Sequence, residues 1–128
     1  MNSWQPGSFG FQKLGDASSS ELKASRVRDL NDQFRTTLSG GRVVMTSGIA
    51  ALDKKLIQRI VSAVSSFIAF DTDNDPYHEH DFGALQIDDH KAFFKIDCYD
   101  TNLEYGSPDP SDTSVTARVL TIMLAEEY

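Results

Sequence analysis

A chain of 128 residues with 40% hydrophobic and 10% aromatic side chains has enough apolar surface for one folded domain and too little length for two, which excludes a disordered chain. Its one cysteine, Cys98, excludes an intrachain disulfide and a thiolate metal cluster, and suits a reducing cytosol. The formal net charge of −7 argues against direct binding of nucleic acid or of a membrane surface over most of the protein, because phosphates would be repelled.

Residues 1–17 are rich in Gly and Ser, with Trp4, Phe9 and Phe11 irregularly spaced. They read as a flexible N-terminal leader or an arm tacked on by its aromatics, with a partner-binding peptide as the alternative. The opening residues show no basic n-region or apolar h-region, and no apolar run approaches a membrane span, so the expectation is a soluble cytoplasmic protein with no membrane partner. Ser18 and Glu21 have the spacing of a capping box, and Leu22, Val27, Leu30, Phe34 and Leu38 follow at helical period. That predicts a helix over 19–38, stopped by Gly40 and Gly41. Lys23, Arg26, Arg28 and Arg35 fall on its other face, either solvated or a docking strip for something acidic.

The β-branched run from Arg42 to Thr46 predicts a short strand, and Ser47, Gly48, Ala50 and Ala51 a turn out of it. Leu56, Ile60, Val61, Val64 and Phe67 mark a second helix over 53–67, with Lys54, Lys55 and Arg59 on its polar side. Residues 71–83, DTDNDPYHEHDFG, then gather four Asp, one Glu and two His among turn-forming residues, which predicts a loop. Segments 82–87 and 92–99 flank the turn-like tetrad 88–91 and predict a hairpin, its second strand central to the sheet. Residues 100–112, DTNLEYGSPDPSD, form a second acidic loop in which 103–105 is a candidate edge strand. Residues 113–126 read as a helix, with a buried strand as the alternative because VLTIML is a continuous apolar run. The sum is one α+β domain over 18–128, an antiparallel sheet of three to four strands with two to three helices packed on one face.

HDFG at 80–83, KIDCYD at 95–100 and TARVLTIMLAEEY at 116–128 resemble the signature blocks of a proteobacterial family of small proteins, domain of unknown function 3768. The similarity extends through LNDQFR and GGRVVMTSGIAAL and covers roughly 25–128. It implies a context, accessory proteins of mobile genetic elements, and no reaction or ligand. His78 and Cys98 stand where the resembling sequences more often carry Gly and Tyr, which counts against a site on either.

The charge is concentrated. Residues 1–70 hold nine Lys/Arg against five Asp/Glu, residues 71–112 two against twelve, and residues 113–128 one against two. Asp71, Asp73 and Asp75 match the first three ligand positions of an EF-hand calcium loop, but Pro76 and Phe82 stand where the loop needs Gly and Glu. A divalent transition metal would draw on His78 and His80 with Glu79 or Asp81, and Asp71, Asp73, His78 and His80 are the ligand set of the metal alternative. The bland reading makes Asp71, Asp73 and Asn74 turn-capping groups and gives His80 a nearby carboxylate. A general acid/base would pair His80 with Asp97 or Asp100, with no nucleophile in view. Cys98, in phase with Phe94 and Ile96, reads as core. The acidic middle needs an offset, which Arg26, Arg35 or Lys54 of the chain itself would supply, or a basic partner. The expectation is therefore an interaction protein without a required cofactor. Its carboxylates Asp71, Asp73, Asp75, Glu79, Asp81, Asp100, Glu104 and Asp109 would dock on a basic nucleic-acid-binding protein and block it, as anti-CRISPR inhibitors do. The competing expectation is a metal-dependent hydrolase or nuclease centred on 71–81.

Overall fold

The computed structural model describes residues 19–128; the leader over 1–17 and the Ser18 half of the capping box lie outside the described residues. Helix α1 (Ser19–Thr37) buries a different stripe from the predicted one. Val27 and Phe34 are in the core, but Leu22 is 59% exposed, and the turns between are filled by buried Asn31 and Arg35. The helix therefore places two polar side chains in the interior, where each must find partners. Its last bond runs from Leu38 N to Phe34 O at 2.7 Å, and the left-handed backbone of Leu38 (φ +57) then turns the chain out of the helix. The predicted Gly stop comes two residues later, and Gly41 has a packing role: a Cβ there would lie 2.6 Å from the Phe34 ring and 2.7 Å from Arg118 O.

Strand β1 (Arg42–Met45) leads into a single helical turn, α2 (Ser47–Ala50), and into α3 (Lys54–Ser65). Asp53 caps α3 by accepting from Lys55 N at 3.1 Å, and Ile60 and Val64 form its buried stripe. The hairpin is β2 (Phe82–Ile87) and β3 (His90–Tyr99), joined by Asp88 and Asp89 alone. A short 3-10 turn (Thr113–Val115) precedes β4 (Ala117–Leu124), and another (Ala125–Glu127) follows it.

The helix read over 113–126 is thus corrected to a strand. Arg118, Leu120 and Ile122 face the helical layer, and Met123 on the opposite face is also buried. Burial on both faces removes the alternation that marks a half-exposed strand. The sheet order is β1-β4-β3-β2. β3 is antiparallel to both β2 and β4, but β1 runs parallel to β4, with Arg42 opposite Val119. The sheet is therefore mixed rather than purely antiparallel. The candidate edge strand 103–105 is instead loop with one flanking bridge, Tyr99 to Gly106, because left-handed Leu103 (φ +61) breaks an extended run.

All three helices lie on one face, where Phe34, Ile49, Ile60, Val64, Phe94, Ile96, Leu120 and Ile122 form one cluster. Gly83 lets the β2 backbone pass the Phe94 ring, which would stand 2.3 Å from a Cβ at that position. On the other face the last residues fold back. Glu127 accepts from Thr46 Oγ1 at 2.6 Å, Gly48 N at 2.9 Å and Leu124 N at 2.9 Å. Tyr128 then rests against Phe82 and Phe93, with centroids 5.9 and 5.5 Å away.

Candidate functional site

β2 and β4 begin, and β3 ends, at the same end of the sheet, so the loops 71–81 and 100–112 meet there. Together they contain nine Asp/Glu and no Lys or Arg.

Loop 71–81 is built by its own side chains. Asp71 Oδ1 accepts from Asp73 N and Asn74 N, both at 2.9 Å, and Asn74 Oδ1 accepts from Asp71 N at 3.1 Å. Asp75 turns inward, 2% exposed, where its Oδ1 accepts from Glu79 N and His80 N at 3.0 Å each. Those bonds fix two left-handed residues, His78 (φ +58) and His80 (φ +55). At His78 that backbone is the one glycine adopts without cost and a side chain makes strained.

The loop is tied to α1 by residues that sequence reasoning did not single out for this role. Asn31 Nδ2 donates to Glu79 O at 2.9 Å. His80 Nδ1 lies 2.9 and 3.0 Å from the two Asp32 oxygens, and its Nε2 3.5 Å from Asp75 Oδ2. The imidazole stacks on Phe70 at 3.9 Å and 3°. The expected pairing of His80 with Asp97 or Asp100 is therefore corrected: its partners are Asp32 and Asp75, because the loop folds against α1 rather than over the outer face of β3. The carboxylates of Asp71, Asp73 and Asp75 do not converge as in a calcium loop, and among the described residues no three His, Cys, Asp or Glu are placed to hold a metal ion.

The second loop follows the same logic. Asp100 Oδ1 accepts from Asn102 N at 3.2 Å and Glu104 N at 3.0 Å. Asp109 Oδ1 accepts from Ser111 N at 3.1 Å and Ser111 Oγ at 2.6 Å, and these bonds hold its carboxyl below the usual range. Of the basic residues expected to neutralise the loops, Arg26 comes nearest, donating Nε to Ser111 O at 2.8 Å. Arg35 is buried against Asp32, and Lys54 makes no ion pair among the described residues. Nor do Asp71, Asp73, Glu79, Asp81, Asp100, Glu104 or Asp109 within 4.0 Å. Asp71, Asp73 and Glu104 are exposed and Glu79, Asp81, Asp100 and Asp109 half-buried, whereas Asp75 is committed to the loop interior.

Residues 45–127 match the family described as protein of unknown function (DUF3768). The chain belongs to that family. The DUF3768 match takes in both acidic loops and all four strands except the first residues of β1, while Asn31, Asp32 and Arg35 on α1 precede it. No curated protein and no solved structure gives a match.

Within the DUF3768 region two carboxyls are pushed upward. Burial raises Glu79, with Asp81 and Asp75 adding repulsion, and burial also raises Asp81, with Asp75 and Asp97 adding theirs. An acid whose pKa rises on folding makes the folded state less favourable once ionised, so each weakens the fold as pH climbs through and above the ordinary carboxylate range. Asp109 and Asp112 act oppositely, since hydrogen bonds from Ser111 and Ser114 lower them and their support is lost as pH falls. Glu79→Gln and Asp81→Asn are therefore expected to raise the thermal midpoint at neutral pH and to match the parent protein in acid, where both carboxyls are already protonated. A gain of equal size at both pH values would mean that packing, not charge, sets the effect. Cys98 is half-buried and burial raises its thiol, consistent with core packing rather than a reactive thiolate.

No helix among the described residues is long and apolar enough to cross a membrane.

Proposed function

We propose that this is a small acidic interaction protein of a mobile genetic element, and that its 71–81 and 100–112 end docks on a basic nucleic-acid-binding host protein and inhibits it in the cytoplasm, in the manner of anti-CRISPR inhibitors. One observation carries the reading: two loops at one end of the sheet hold nine Asp and Glu, eight of them outside the interior position taken by Asp75, without a Lys or Arg in either loop. Backbone N–H groups hold the Asp71 and Asp100 carboxylates in place. The negative array is thus ordered before any partner arrives, which lowers the entropic cost of docking. A groove that binds phosphates offers Lys and Arg in rows, and such a surface attracts an ordered acidic face over a Debye length of about 8–10 Å.

The test is a tagged pull-down from nuclease-treated bacterial lysate, comparing the parent chain with an Asp73→Lys, Glu104→Lys double variant. Both side chains are exposed and neither carboxylate accepts a hydrogen bond within the described residues, so the variant should keep its thermal midpoint. The expected result is a nucleic-acid-binding protein captured by the parent chain, released as salt rises, and bound at least tenfold more weakly by the variant. Equal capture by parent and variant would overturn the proposal.

A further inference from the structure

Two arginines are buried in this protein, and their charges are met differently. Arg35, 3% exposed, has the Asp32 carboxylate at 3.0 Å. Arg118, 5% exposed, has no Asp or Glu within 4.0 Å among the described residues. Its Nε donates to Asn31 Oδ1 at 2.8 Å and its Nη2 to Pro110 O, both neutral acceptors. Its Nη1 has no hydrogen-bond partner among the described residues. The Glu79 carboxylate acts on this charge only from beyond ion-pair distance, so a largely buried guanidinium whose direct acceptors are neutral would be stabilised by an anion seated against it.

Arg118 lines a groove of about 490 Å³ between α1 and the 3-10 turn at Thr113–Val115. Gln33, Thr37, Ser39 and Thr113 supply its polar wall and Leu30 and Phe34 its apolar wall, with no Asp or Glu in the lining. Thr37 Oγ1 is engaged by Gln33 O at 2.7 Å and Ser39 N at 3.2 Å. The side chains of Gln33, Ser39 and Thr113 make no hydrogen bond among the described residues, so their donors are available to a ligand. A fixed guanidinium beside neutral donors and an apolar wall is the donor set that recognises an oxyanion attached to a small carbon skeleton.

We infer that this groove binds a small organic oxyanion, with its carboxylate or phosphate oxygens on the Arg118 guanidinium and its carbon skeleton against Leu30 and Phe34. The site is independent of the acidic docking face: it requires no macromolecular partner and uses none of that face's carboxylates.

Thermal unfolding of the full chain in sodium benzoate or sodium phosphate, against sodium chloride at equal ionic strength and pH, tests this. A saturable rise in midpoint is expected with at least one probe; benzoate alone identifies a carboxylate ligand, and phosphate alone a phosphate ester. Phosphate also stabilises proteins by exclusion from their surfaces, so a variant must separate the two effects. Arg118 variants lose the bonds to Asn31 and Pro110 and can fail to fold. Gln33→Glu, on the exposed side of α1, instead places a carboxylate in the groove. It is expected to raise the midpoint without ligand and to weaken probe binding at least tenfold. No saturable shift beyond chloride in the parent chain, or an equal shift in Gln33→Glu, would overturn the inference.

Discussion

Arg35→Ala is expected to destabilise the protein by about 3–5 kcal/mol, the usual range for breaking a buried ion pair, measured as a shift in the urea midpoint at unchanged slope. Arg35 Nη1 donates to Val64 O at 3.0 Å, Ser65 O at 3.2 Å and Phe67 O at 3.0 Å. Ser65 O closes α3 and Phe67 O lies just beyond it, where no intrahelical donor remains, while Val64 O also accepts from Phe67 N at 3.3 Å. Nη2 meets Asp32 at 3.0 Å, and the guanidinium carbon lies 5.3 and 5.6 Å from the Phe70 and Phe94 ring centres. Removing the side chain strands the Ser65 and Phe67 carbonyls and takes the guanidinium from Asp32, the carboxylate that also holds His80. Arg35→Lys should recover only part of the loss, because a single ammonium on a flexible stem cannot serve the carbonyls and Asp32 together. A midpoint for Arg35→Ala within about 1 kcal/mol of the parent would mean that water replaces the guanidinium at little cost.

Asp75→Ala is expected to cost about 3 kcal/mol and to act mainly on one loop. The buried carboxylate receives the N–H groups of Glu79 and His80 and faces the imidazole. Without it both amides lose their acceptor, and the left-handed backbone at His78 and His80 loses what holds it. Hydrogen exchange should show protection lost at Glu79 and His80 while the amides between β3 and β4 keep theirs. Asp75→Asn separates shape from charge, since its amide oxygen can receive both N–H groups but leaves His80 without that carboxylate. It should retain the loop amides' protection and lose about half of the stability lost by the alanine variant. If Asp75→Ala instead unfolds β3 and β4 together with the loop, the loop is part of the global folding unit rather than a locally opening segment.

The elements that were legible in the sequence are those buried on one side. Ile60 and Val64 repeat at helical period, and Phe94 and Ile96 alternate with Lys95 and Asp97, because the opposite positions meet water. β4 gave no such signal: Ile122 and Met123 are adjacent and both buried. The parallel pairing of Arg42 with Val119 joins residues with no local sequence relation, so composition and spacing alone could not reveal it. Composition located the acidic loops, since nothing but polar and turn-forming residues fills them. The polar network beneath them was not legible, because Asn31 and Arg35 occupy positions on α1 where helical spacing allows either a solvated face or an interior one. The signal available was that Leu22 and Leu38 demanded a stripe broader than one helix face can bury. Arg118 offered less: a lone basic residue before VLTIML suits a helix end as well as a buried strand position.

The sheet order also has a kinetic side. β4 is an interior strand, yet it follows in sequence every other strand it joins, and β1 has no other neighbour in the sheet. β2 and β3 are joined by a two-residue turn and can pair as soon as both exist, whereas β1 must wait through the 72 residues that separate Met45 from Ala117. At ribosomal speeds of about 5–20 residues per second, that is on the order of 4 to 14 s. Closing so long a loop is a slow, high-contact-order step. Through that interval Val43 and Leu120, later stacked side by side in the core, have no partner strand in common, and the waiting edge of β1 is the place where a chaperone or a neighbouring chain would find the protein first.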